Sequence, residues 1–189
     1  MDSKLQIISG QFRGRKLFLP SGARPTQNRA RIALFNMLES GLVSTNTPLT
    51  IWDAFGGSGA FGIECISRYH NATIIFTDIS PESIKTIQKN LKLIAPLSRI
   101  TQVIQSDAIN SICKYGSTSD IIFIDPPYNE HELGNSFVKK LSGVARPGTI
   151  LIWEQEVAHK YSPDSNAWEI LRDKQYGRAR FLILKKRAN

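Results

Sequence analysis

The chain has 189 residues, 41% of them hydrophobic and 21% charged, with a formal net charge of +8. That is enough for one domain with a sizeable core and a small appendage, and no apolar run approaches membrane-spanning length. Cys65 and Cys113 suggest no disulfide framework, and His70, His131 and His159 have no ligand spacing, so no metal site is expected. Residues Met1 to Gly10 carry no charged-then-apolar signal pattern, which makes a reducing cytoplasm the expected compartment. The positive charge favours a polyanionic partner, nucleic acid before others.

In chain order, Gln6 to Leu19 reads as a hairpin with Arg13, Arg15 and Lys16 near its tip. Arg24-Pro25-Thr26 opens the next piece. Ala30, Leu34, Phe35 and Leu38 recur at helical spacing, predicting a helix over Gln27 to Ser40. Arg24, Arg29 and Arg31 crowd its start, where positive charge opposes the helix dipole. They form either a solvated basic face or a phosphate-binding entry.

From Leu49 onward, apolar runs alternate with amphipathic stretches. Strands are predicted at Leu49 to Ala54, Ala72 to Thr77, Arg99 to Gln105, Asp120 to Ile124 and Thr149 to Glu154. Helices are predicted at Gly59 to Tyr69, Pro81 to Leu93, Ala108 to Lys114 and Leu133 to Leu141. Such βα alternation implies a parallel sheet with helices on both faces. Trp168 to Asp173 and Arg180 to Lys185 flank Gln175-Tyr176-Gly177-Arg178 and predict a closing antiparallel hairpin.

Four strand ends carry candidate chemistry. The first runs into Asp53-Ala54-Phe55-Gly56-Gly57-Ser58-Gly59, where glycines permit a tight turn and close backbone approach to a ligand. Gly57, Gly59 and Gly62 also fit a dinucleotide fingerprint, with Asp78 about twenty residues on. That pattern alone leaves a nicotinamide cofactor open. Asp53, before the glycines, suits a ligand's ammonium group. Asp78, followed by Ile79, suits a ribose diol; it could instead cap the next helix, but Ser80 fills that role. Asp107, before Ala108, suits an adenine amino group or a helix cap equally. The fourth strand ends in Asp125-Pro126-Pro127-Tyr128. Its prolines force a rigid exit that fixes the carboxylate and carbonyls as acceptors for a planar amino group, with an aromatic face beside them.

This order of motifs resembles the class I S-adenosylmethionine-dependent methyltransferases of amino groups. Ile8-Ser9-Gly10-Gln11-Phe12-Arg13-Gly14-Arg15-Lys16-Leu17, Arg24-Pro25-Thr26 and Leu34-Phe35-Asn36 narrow the resemblance to the RsmD family. Asp78 stands where that family often has glutamate, Ile32 where it usually has an acid, and Asn28 where it often has aspartate.

The resemblance implies a Rossmann-like α/β fold, with a mostly parallel seven-stranded sheet, a closing antiparallel hairpin and a small N-terminal hairpin and helix extension. Residues 1–45 would be an RNA-binding extension and 46–189 the methyltransferase domain. It implies transfer of a methyl group from S-adenosyl-L-methionine to the exocyclic N2 of one guanine, guanine 966, in 16S ribosomal RNA. The partner would be that RNA or the assembling small subunit, met by a monomer. Asp125, Pro126, Pro127 and Tyr128 would be catalytic. Asp53, Phe55, Gly56, Gly57, Ser58, Gly59, Asp78, Ile79, Asp107 and Ala108 would hold the cofactor. Arg13, Arg15, Lys16, Arg24, Thr26, Arg29, Arg31 and Arg178 would hold RNA. The alternatives are a DNA adenine-N6 or other amino methyltransferase, and an RNA-binding assembly factor without catalysis.

Overall fold

The computed structural model describes residues 5–22, 28–44, 47–94, 101–127, 130–158 and 161–188. Seven strands, β1 (Leu49–Asp53), β2 (Ala72–Asp78), β3 (Thr101–Gln105), β4 (Ile121–Ile124), β5 (Ile150–Glu156), β6 (Trp168–Tyr176) and β7 (Ala179–Lys186), form one sheet. Their order is β3-β2-β1-β4-β5-β7-β6. The first five are mutually parallel, whereas β7 runs antiparallel to both β5 and β6. The expected sheet and closing hairpin are present. Five helices accompany it: α1 (Asn28–Glu39), α2 (Ala60–Arg68), α3 (Pro81–Leu93), α4 (Ala108–Tyr115) and α5 (His131–Ser142). Among the described residues, no helix is long and apolar enough to cross a membrane.

Strand side chains alternate between two cores, as a period of two requires. Ile51, Ile74, Phe76, Phe123, Ile152 and Ile183 join one core with Leu34 and Phe35 of α1, Ile63 and Ile66 of α2, and Ile87 of α3. Their neighbours Trp52, Ile75, Ile122, Ile124, Trp153 and Leu182 join the other, with Ile112 of α4 and Phe137 of α5. Gly62 makes close helix–sheet packing possible: a Cβ there would sit 2.3 Å from Cε1 of Phe76.

The N-terminal arm belongs to the first core through Leu5, Ile7, Phe12 and Leu17. The expected hairpin is present: Gln6 bridges Lys16 antiparallel, Ile7 donates to the Arg15 carbonyl, Gly14 to the Ile7 carbonyl and Leu17 to the Leu5 carbonyl. Its other amides reach α2. Ile8 and Ser9 donate to the carboxylate of Glu64 at 2.8 and 2.9 Å. Gln11 donates to the Ser67 carbonyl, and Phe12 to the Ser67 hydroxyl. The tip of the hairpin is thus held by one face of α2. Gly10 makes the approach close, with a positive φ and a backbone against Ser67 that leaves no room for a Cβ.

Candidate active site

The order of the sheet reverses direction between β1 and β4. Open α/β sheets bind ligands outside the carboxyl ends of the strands at such a point. A crevice of about 840 Å³ opens there. The ladder register sets Asp53 level with Phe123, so the loop after β1 and the Asp125 turn flank the same gap.

Asp53 is only 1% exposed and accepts a hydrogen bond from the Gly62 amide at 3.1 Å. Burial is the main cause that pushes its carboxyl up to about 8; the Gly62 bond opposes this, while Asp78 and Asp125 add to it. Gly57 and Gly59 have positive φ, letting the loop fold back on itself, and the Gly59 amide bonds to the Gly56 carbonyl. Phe55, Gly56, Gly57 and Ser58 line the crevice, whereas Gly59 leads into α2 and packs near Ile87.

Asp78, at the end of β2, is half-buried. Its Oδ2 accepts from the Gly57 amide at 2.7 Å and its Oδ1 from the Ser80 amide at 2.8 Å. It therefore ties the glycine loop to the start of α3. The cap of α3 is the Ser80 hydroxyl, which accepts from the Ser83 amide. Each Asp78 oxygen keeps a lone pair for a ligand hydroxyl. Ile79 beside it is 69% exposed and lines the crevice. Asp107 caps α4 through Asn110 at 2.8 Å and, with Ala108, also lines the crevice. Its two readings are therefore compatible.

Asp125 follows β4 and, with Pro126 and Pro127, lines the same crevice. Among the described residues no donor bonds to its carboxylate. Desolvation pushes its carboxyl up to about 7. A positive charge entering the crevice would favour the ionised form of both carboxyls. Tyr128, Arg24 and Thr26 lie outside the described residues.

The basic residues divide. Arg13, Arg15, Lys16 and Arg29 are exposed, and Arg178 is 78% exposed at the crevice mouth, 3.5 Å from Glu156. Arg31 corrects the expectation of a phosphate contact. It is 5% exposed and donates to Glu64 at 3.2 Å and to the backbone carbonyls of Gln6 and Ala60. Arg180 is likewise buried, forked onto Asp173 and bonded to Gln155. Both serve the fold.

Glu64 was missed in the sequence. It is fully buried and binds Ile8, Ser9, Arg31 and Arg68 at once. Its only signal there was an acid on the otherwise apolar face of a short helix. Glu154 of β5, buried and lining the crevice, was also passed over.

Comparison with known proteins agrees with this fold. The family model described as conserved hypothetical protein 95 matches residues 5–185. Ribosomal RNA small subunit methyltransferase D of Escherichia coli is 31% identical over 190 residues, covering 98% of this chain and 91% of that protein. The solved structure of Escherichia coli yhhF superposes with a TM-score of 0.79 at 30% identity, covering 97% and 98% of the two chains. The rRNA methyltransferase aviRa of Streptomyces viridochromogenes, at 14% identity, shares the fold with a TM-score of 0.72 over 89% and 88%. The chain therefore belongs to the family described as conserved hypothetical protein 95, the RsmD family that its N-terminal and strand-end motifs resemble.

Proposed function

We propose that this protein transfers a methyl group from S-adenosyl-L-methionine to the exocyclic N2 of a guanine in small-subunit ribosomal RNA, with guanine 966 the expected position. The observation that carries the reading is the meeting of Asp53, Asp78, Asp107 and Asp125 in one crevice. The curated name of the Escherichia coli relative supports the RNA substrate, and the net charge of +8 suits it. That substrate implies action in the cytoplasm.

The donor set fits the cofactor. Asp53 would receive its ammonium group, Asp78 its ribose hydroxyls, Asp107 its adenine amino group, and Ile79 would cover the adenine face. When bound, the cofactor supplies an electrophilic methyl group on a sulfonium. The guanine amine is a poor nucleophile because its lone pair is delocalised into the ring. Asp125 and the Pro126 carbonyl accept its hydrogens, orient it, and stabilise positive charge as it develops. Tyr128 stacks on the guanine. Orientation removes roughly 7–11 kcal/mol of barrier in favourable cases, so no strong base is needed. Asp125 or water then takes the proton. A stacked base cannot enter such a crevice, so the target is unpaired or flipped out. The exposed basic residues of the N-terminal extension, Arg13, Arg15, Lys16 and Arg29, together with Arg178, grip the surrounding phosphates.

Asp78→Ala tests the cofactor assignment. S-adenosylhomocysteine affinity should fall by roughly 1.5–3 kcal/mol, on the order of tenfold to a hundredfold. Isothermal titration measures it, with a denaturation curve to show that the variant is folded. Unchanged affinity would leave Asp78 only its bonds to Gly57 and Ser80.

A further inference from the structure

Helix α3 turns Ser83, Ile84, Thr86, Ile87 and Asn90 inward. Lys85, Gln88, Lys89 and Lys92 are exposed. These four stand at i, i+3, i+4 and i+7, so they form one stripe about 10 Å long. The N-terminal arm lies along the same helix. The Phe18 amide donates to Asn90 Oδ1 at 2.8 Å, and Asn90 Nδ2 donates back to the Phe18 carbonyl at 3.0 Å. The Ser21 amide donates to Glu82 at the start of α3, and the Arg15 guanidinium donates to the Leu93 carbonyl at its end.

This packing joins two basic segments that are about seventy residues apart in the chain. Arg15 meets the far end of the stripe, while Gly22 and Ser83 meet the crevice at the near end. Phe18 stands between them, 40% exposed, with the Lys89 ammonium 3.4 Å from its ring centroid. The acid at the head of the stripe, Glu82, is engaged by Ser21, a bond that holds its carboxyl below the usual range.

We propose that Lys85, Lys89, Lys92 and Phe18 form a docking surface for single-stranded RNA flanking the target nucleotide. This rests on the RNA methylation reading above. Lysines spaced along a helix face match a phosphate backbone, and an exposed aromatic ring among them accepts an unstacked base. The surface starts at the crevice rim, so a strand whose guanine enters the crevice can continue along α3. Without such a partner, the same lysines would be only a solvated helix face.

The test is a salt titration of binding to transcribed small-subunit ribosomal RNA, for wild type, a Lys85→Gln/Lys89→Gln/Lys92→Gln variant and Phe18→Leu. Each lost phosphate contact should flatten the slope of log affinity against log salt by about 0.7–0.9, so the triple variant should flatten it by about 2.1–2.7. Phe18→Leu should weaken binding by about fivefold or more with the slope unchanged, since base stacking releases no counterions. Denaturation curves and S-adenosylhomocysteine affinity serve as folding controls. A steep wild-type line with the triple variant superimposed on it overturns this surface alone. A wild type that binds this RNA without salt dependence overturns the RNA reading and the surface with it.

Discussion

Replacing Asp125 by alanine is expected to slow methyl transfer by about 100- to 1,000-fold, the cost of removing one preorganised charge-stabilising group in other enzymes, or about 3–4 kcal/mol. S-adenosylhomocysteine should still bind, because the glycine loop, Asp78 and Asp107 are untouched. The geometry explains why so much depends on one side chain. Asp125 lines the crevice, and no described residue competes for its lone pairs with an incoming amine. Burial pushes its carboxyl up to about 7, so a proton competes for it near neutral pH. A proton on it removes an acceptor, so turnover should rise with pH and level off once the carboxyl is ionised. The cofactor's positive charge favours the ionised form, which puts the midpoint below about 7 in the loaded enzyme. Asp125→Asn keeps an acceptor oxygen but cannot titrate. It should retain more activity than Asp125→Ala and lose the acid limb of the pH profile. Near-normal turnover in the alanine variant would remove Asp125 from the mechanism.

The second large effect is on stability. Glu64→Ala should cost about 3–5 kcal/mol of unfolding free energy, the usual result of removing one partner from a buried ion pair. Arg31 would be left buried without its carboxylate, and burial already draws its pKa down. The amides of Ile8 and Ser9 would lose their acceptors as well. Chemical denaturation measures the loss. Glu64→Gln, which keeps shape and one acceptor oxygen, should fall between alanine and wild type. If Glu64→Ala unfolds at the wild-type midpoint, the arm is held by apolar packing of Leu5, Ile7 and Leu17 instead.

The sheet was legible because its signals are local and repetitive. Runs such as Ile121 to Ile124 have no other stable home than a strand covered on both sides, and the helices between them give the parallel order. Predicted and observed element ends differ by a few residues at most, with α3 matching at Pro81 and Leu93. The acids at the strand ends were legible for the same reason, since strand ends point at the crevice.

What was not legible depends on contacts between distant segments. Arg31 read as a cation at a helix start; its burial is decided by Glu64 and by the carbonyl of Ala60, about thirty residues away. The hairpin of the arm was legible, but not that the amides of its tip donate to Glu64 and Ser67 of α2. Asn90 of α3 was not singled out in the sequence. It is fully buried and joins Phe18 of the arm to Ser58 of the glycine loop. No periodicity in the chain reports such cross-links.

The central claim is the chemistry at the crevice, and methyl transfer tests it most directly. The protein would be incubated with methyl-labelled S-adenosylmethionine and small ribosomal subunits from cells lacking the modification, and the RNA then digested to nucleosides and mapped. The account predicts label in N2-methylguanosine at a single position, with Asp125→Ala reducing it by about 100-fold or more. Label in N6-methyladenosine, or none in a protein that binds S-adenosylhomocysteine and RNA, would contradict it.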